Sequence, residues 1–355
     1  MRSLNDILDL SVEEIDQLIH TSEDIIKNPD SYREACKNKK LVTLFFEPST
    51  RTRLSFEAAM HELGGQVMSV TDVDSSSVSK GESISDTTRT ISCYADVLAM
   101  RHPLEGAALV AAQTGVMSVI NAGDGGHCHP TQTLADLLTI YRRKGRLNHL
   151  TVGVCGDLKY GRTTHSLIGA LSRYPGVRFV MIAPRELRIR AYVTEALRFG
   201  NIPYEETESL DDALPELDIL YMTRIQRERF SHPELYEQLK DSYILTPEKL
   251  TSAKEDMCVL HPLPRVNEIS KGVDSDPRAC YFEQMLNGKF IRMALILKLL
   301  KDEARPIQKQ LSYHLHCRNP RCICQTEQEL RPAFYQTAGL NPVYRCVYCE
   351  HQARD

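Results

Sequence analysis

From Lys40 onward, short apolar runs rich in β-branched and aromatic residues alternate with stretches of mixed polarity. The runs at 41–46, 97–100, 116–120, 151–154, 179–182, 219–221 and 258–260 are short enough to be buried strands, which are typically 4–8 residues long. Between them Phe56, Ala59, Met60 and Leu63 fall at helical spacing, and so do Leu134, Leu137, Leu138 and Tyr141. Each set predicts a helix with one apolar face. Strand and helix in alternation is the pattern of βαβ units, so the predicted class is α/β, with mostly parallel sheets flanked by helices.

A polar break at 142–149 divides this alternation in two, and the apolar segment 282–300 reads as a closing helix. The predicted domains are therefore 1–145, completed by the helix at about 282–301, and 146–281. Beyond Lys301 the composition turns polar through Pro306, predicting a linker at 302–316 before a cysteine-rich module at 317–355. A chain of 355 residues is long enough for two cores and an appendage. Its 42% hydrophobic and 25% charged residues are those of a folded globular protein. The formal net charge of -4 supplies no broad positive field, so no nucleic-acid partner is expected and anionic ligands must be met by local arginines. Charged residues interrupt the N-terminal stretch, and Lys298 stops the apolar run at 293–297. Neither a signal peptide nor a membrane span is expected, and the expected location is cytoplasmic.

Cys36, Cys93, Cys128, Cys155, Cys258 and Cys280 are scattered singly and read as reduced thiols. The others crowd together near the C-terminus. Cys317 and Cys322 form one short-spaced pair and Cys346 and Cys349 another, and two such knuckles close a tetrahedral zinc site. Four thiolates leave no open position, so the zinc is structural and supplies much of the folding free energy of so small a β module. Cys324 lies too close to Cys322 to improve that set and is left outside it, as are His314 and His316.

The run at 41–46 leads into Glu47-Pro48-Ser49-Thr50-Arg51-Thr52 at the start of a helix. Ligands of open α/β sheets bind at such strand ends, and the helix N-terminus offers N–H groups to a phosphate. Ser49, Thr50, Arg51 and Thr52 are the predicted phosphate contacts. An ordinary helix cap beside a solvated arginine would explain that segment alone. Two further strand ends resist so bland an account: Arg101-His102-Pro103, and the glycine-rich turn that leads to His129-Pro130-Thr131-Gln132.

Through Ser49-Thr50-Arg51-Thr52-Arg53, Met100-Arg101-His102-Pro103 and His129-Pro130-Thr131-Gln132, nearly all of residues 1–301 resembles the aspartate and ornithine transcarbamoylases. The resemblance implies that Ser49, Thr50, Arg51, Thr52 and Arg101 hold the phosphate of carbamoyl phosphate. Arg51, Thr52 and His129 would polarise the carbamoyl oxygen, and Gln132 would grip the amino group. It also implies a loop at 75–82 serving a neighbouring subunit's site through Ser76 and Lys80, hence a homotrimer with shared sites. The amine would attack directly through a tetrahedral intermediate, with no cofactor required for the chemistry.

In the second domain Asp157 to Thr163 and Thr223 to Gln226 again follow strands. Two arginines suit a substrate with two carboxylates, whereas an arginine facing ornithine's second amine would repel it. His261-Pro262-Leu263-Pro264 also follows the aspartate rather than the ornithine pattern of the family. The resemblance thus implies that Arg162, Arg224 and Gln226 bind aspartate and that the backbone of Leu263 and Pro264 meets the carbamoyl amino group. The product would be N-carbamoyl-L-aspartate, an early intermediate of pyrimidine biosynthesis. Asn267 stands where an acidic residue is expected. The cysteine tail resembles the zinc domain of the regulatory chain of aspartate transcarbamoylase. Only the short 302–316 stretch precedes it, so nucleotide feedback through a regulatory domain there is expected to be absent. The module is expected to steady contacts between subunits or trimers. The rival readings are transfer to ornithine or another amine, and a non-catalytic zinc-containing binding protein on the same fold.

Overall fold

The computed structural model describes residues 2–70, 81–225, 233–303, 310–327, 329–337 and 342–353. The chain forms two compact units, 1–131 with 288–355, and 132–287. The first contains α1 (Val12–Lys27), β1 (Lys40–Phe45), α2 (Thr50–Glu62), β2 (Gln66–Val70), α3 (Ile84–Ser92), β3 (Val97–His102), α4 (Ala107–Gln113) and β4 (Ser118–Asp124). Its sheet has the order β2-β1-β3-β4, parallel throughout. β1 and β4 are buried along nearly their whole length, as strands covered on both faces must be. Ser11 and Glu14 start α1 with a capping box: the Ser11 hydroxyl accepts from Glu14 N at 3.2 Å and Ser11 N donates to the Glu14 carboxylate at 3.0 Å.

The helix α5 (Pro130–Lys144) leads into the second unit, with β5 (Thr151–Cys155), α6 (Arg162–Leu171), β6 (Arg178–Ile182), α7 (Ala191–Phe199), β7 (Tyr204–Thr207), α8 (Leu210–Ala213), β8 (Ile219–Met222), α9 (Pro233–Leu239), α10 (Pro247–Leu250) and β9 (Cys258–Leu260). Its sheet runs β7-β6-β5-β8-β9, again parallel throughout. The closing helix is α11 (Tyr281–Lys301). No helix among the described residues is long and apolar enough to cross a membrane.

The cysteine module adds a three-stranded antiparallel sheet of β10 (Leu311–Ser312), β11 (Phe334–Gln336) and β12 (Tyr344–Cys346), with β10 inside the stretch read as a linker. The module belongs to the first unit. One apolar cluster runs from Leu98 and Met100 of β3, through Ala107 and Ala111 of α4, to Ile323, Phe334 and Tyr348 of the module.

The contact centres on the loop between β3 and α4. Glu105 N donates to Arg321 O at 2.8 Å, and Ile323 N donates to Glu105 O at 2.9 Å. The Glu105 carboxylate accepts from the Asn319 amide at 2.6 Å and from Gly126 N at 3.2 Å. The next residue, Gly106, has φ +89, and a Cβ there would lie 2.6 Å from Tyr348 Cβ. Glycine is required on both counts: the left-handed backbone, and the closeness of the module. Gly106→Ala is expected to destabilise the first unit by about 2–4 kcal/mol through backbone strain and overpacking, read as an earlier denaturant midpoint. A midpoint unchanged from wild type would mean that the module does not press on this loop.

Candidate active site

In the first unit the polar strand ends share one edge. Because β1, β3 and β4 are adjacent and parallel, their C-terminal ends bring together the start of α2, Arg101 and the turn before His129. Arg101 stands opposite Phe45 in the register, and its carbonyl accepts from Phe46 N at 2.9 Å.

Ser49 occupies the N-cap position of α2 yet makes no side-chain cap hydrogen bond, so the hydroxyl is not consumed by local capping. Thr50 and Arg51 are exposed, and Thr52 is buried. Burial of part of the Arg51 side chain lowers its pKa from the ordinary guanidinium value. A bound anion relieves that penalty. Arg101 is largely buried, 3.3 Å from the Glu47 carboxylate, and donates to Ala122 O at 3.4 Å. His129 is 5% exposed. Asp124 holds the turn before it, accepting from Asn121 at 2.9 Å, Gly106 N at 2.8 Å and Cys128 N at 3.2 Å. Gln132, in the first turn of α5, donates to Asp136 at 2.8 Å.

The second unit repeats the arrangement on β5, β8 and β9, which are also neighbours. Arg162 opens α6 beyond β5, and Arg224 follows β8. Thr223 ties these two ends together: its hydroxyl donates to Cys155 O at 3.0 Å and accepts from Asp157 N at 3.1 Å. Beyond β9, His261 accepts from Leu263 N at 2.8 Å and pairs with Glu268 at 2.7 Å, holding the backbone at Leu263 and Pro264. Glu268 also receives Val266 N and Asn267 N at 2.9 and 3.0 Å, while the Asn267 amide turns to Asp241. Ser76, Lys80 and Gln226 lie outside the described residues.

In the module Cys317 Sγ lies 3.5 Å from Cys349 Sγ, and Cys322 Sγ lies 3.8 Å from Cys346 Sγ. Cys324, which spacing alone set aside, also stands in the group, 3.3 Å from Cys322. The sulfurs of Cys317, Cys322, Cys324 and Cys346 all fall within 4.8 Å of one another. So dense a set of sulfurs, all buried but the half-buried Cys324, fits a thiolate-bound zinc, whose Zn–S distance is about 2.3 Å. The ion is structural, and its chemistry is to join the knuckles that flank the Glu105 contact.

Comparison with known proteins agrees with this geometry. Residues 2–142 match the carbamoyl-P binding domain of the aspartate/ornithine carbamoyltransferase family, and 148–299 match its Asp/Orn binding domain. Residues 309–355 match the metal binding domain of the aspartate carbamoyltransferase regulatory chain. The chain is 60% identical over 301 residues to the aspartate carbamoyltransferase catalytic subunit of Lachnoclostridium phytofermentans, covering 84% of this chain and 98% of that one. Among solved structures, the M. jannaschii aspartate transcarbamoylase catalytic subunit superposes with a TM-score of 0.80 at 46% identity, over 85% of this chain and 98% of that one. The Trypanosoma cruzi aspartate transcarbamoylase in complex with carbamoyl phosphate and aspartate gives 0.78 at 37% identity, over 83% and 96%.

His102, at the end of β3, carries a pH dependence. It is 7% exposed, and its Nδ1 accepts from Leu104 N at 3.0 Å, which fixes the loop leading to Glu105. Burial holds its pKa down at about 4. The folded state therefore keeps the ring neutral at pH values where an unfolded chain, with a histidine pKa of about 6.5, takes up a proton. Stability from this group is present above about pH 6.5 and is lost as pH falls toward 4. His102→Gln, which cannot titrate, is expected to shrink the fall in unfolding free energy between about pH 7 and 4.5 by about 2 kcal/mol, measured by denaturant titration. Equal falls in wild type and variant would show that His102 is not held neutral.

Proposed function

The chain belongs to the aspartate/ornithine carbamoyltransferase family, and we propose that strand ends in its first unit hold carbamoyl phosphate while those in its second hold the amine. The reaction is transfer of the carbamoyl group of carbamoyl phosphate to the α-amine of L-aspartate, giving N-carbamoyl-L-aspartate and phosphate. One observation carries the assignment of sites: the adjacent, parallel ends of β1, β3 and β4 gather Ser49 to Thr52, Arg101 and His129 on one sheet edge.

Ser49, Thr50 and the N-terminus of α2 receive the phosphate oxygens, with Arg51 and Arg101 supplying positive charge. The amine lone pair attacks the carbamoyl carbon, and the carbonyl electrons move onto oxygen. Arg51, Thr52 and His129 donate hydrogen bonds to that oxyanion, which is where preorganised donors have most effect. The C–O bond to phosphate then breaks, and the departing phosphate takes the proton lost by the amine. Gln132 and the backbone carbonyls of Leu263 and Pro264 accept from the carbamoyl NH2. Arg162, Arg224 and Gln226 bind the two carboxylates of aspartate, which is the basis of discrimination against ornithine. Ser76 and Lys80 complete a neighbouring subunit's site, and a head-to-tail closed trimer is the assembly that allows it. The enzyme works in the cytoplasm.

Phosphate release dependent on carbamoyl phosphate is expected with aspartate and not with ornithine. Arg51→Ala and His129→Ala are each expected to lower kcat by roughly a hundredfold or more, because a single oxyanion donor is worth about 3–4 kcal/mol. Near-normal turnover in either variant would remove that residue from the mechanism.

A further inference from the structure

A second group of metal-ligating side chains lies on the far side of the turn that leads to His129. An Asp6 carboxylate oxygen, a His127 ring nitrogen and the Cys128 sulfur fall within 4.8 Å of one another. They come from two segments held in register. Leu4 N donates to Val119 O at 2.9 Å and Asn121 N donates to Leu4 O at 2.8 Å, so the N-terminal segment runs along β4 and delivers Asp6 to the turn carrying His127 and Cys128.

The surroundings are those of a ligand set. His127 Nδ1 is 3.0 Å from the carboxylate of Asp124, which is 2% exposed and itself anchored by Gly106 N and the Asn121 amide. A histidine ligand to a metal is typically oriented in this way, by a carboxylate on its other ring nitrogen. Nε2 is buried and has no hydrogen-bond partner among the described residues. Cys128 is 3% exposed, its sulfur 3.1 Å from the Asn5 carbonyl and 3.6 Å from the imidazole Nδ1.

We propose that Asp6, His127 and Cys128 bind a second divalent metal ion, with Asp124 as the outer partner that orients His127. A thiolate, an imidazole and a carboxylate together suit a metal of intermediate softness, zinc above all, rather than magnesium or calcium. The ion clamps the N-terminal segment to the turn. Binding releases the thiol proton to solvent as the Cys128 sulfur joins the metal.

The test is the zinc content of the purified full-length chain, measured by mass spectrometry after equilibration with zinc and exhaustive dialysis. Two zinc ions per chain are expected in wild type. One is expected in Cys128→Ala and in Asp6→Asn, the second of which keeps the shape of the side chain in case the first folds poorly. Cobalt-substituted wild type should show more thiolate-to-metal absorption than cobalt-substituted Cys128→Ala. A wild-type content of one zinc overturns the proposal. So does a second zinc that persists in both variants, because it would then be an adventitious surface ion.

Discussion

Parallel pairing is the constraint on which the rest depends. In each unit every strand of the main sheet runs in the same direction, so the carboxyl ends of neighbouring strands must all emerge at one edge. Helices return the chain to the opposite edge, and the polar residues between strand and helix collect where no apolar core claims them. Arg51, Arg101 and His129 are far apart in sequence, yet β1, β3 and β4 leave them little choice but to share an edge. The same rule places Arg162, Arg224 and the Leu263–Pro264 backbone beyond β5, β8 and β9.

The loops at that edge are not left to solvent. Glu105 is bound on its backbone by Arg321 and Ile323, and on its carboxylate by both Asn319 and Gly126. A single side chain therefore joins the cysteine knuckle to the glycine turn that precedes His129. Metal held in the module would fix the loop carrying Asn319 and Arg321, which Cys317 and Cys322 bracket, and with it the adjoining Ile323. Folding of the module and order at the strand ends are linked through contacts whose partners can all be named.

What was legible in the chain was local. The motifs at 49–52, 101–103 and 129–132 sit at strand ends, and the central strands β1 and β3 are buried on both faces, which makes their apolar runs nearly continuous. The edge strands β2 and β7 left no such run, because their side chains are mostly exposed or half-buried and alternate without an apolar stripe. β4 was read at 116–120 and lies at Ser118–Asp124, because Asn121 to Asp124 has the composition of a turn although it is fully buried as strand. Cys324 was set aside on spacing, but the 3-10 turn at Ile323–Gln325 carries its sulfur back toward Cys322. The docking of the module onto α4 depended on pairings between residues far apart in the chain, such as Gly106 with Tyr348, and no local pattern announces those.

Joining the module to the same polypeptide changes its energetics more than its contacts. The relative from Lachnoclostridium phytofermentans is matched over 98% of its own length by 84% of this chain, and the remainder here resembles a domain that belongs to a separate regulatory chain. Two separate chains pay for lost translational and rotational freedom when they dock, a cost that must be met by contacts. A tether converts that association into an intramolecular step at an effective concentration in the millimolar range for short linkers. The interface at Glu105 has few polar contacts and a modest apolar cluster. In one chain that is sufficient, because closing a short loop costs far less than capturing a partner from solution. The same tether keeps module and catalytic units in a fixed one-to-one ratio, so the Glu105 loop has a docking partner in every copy.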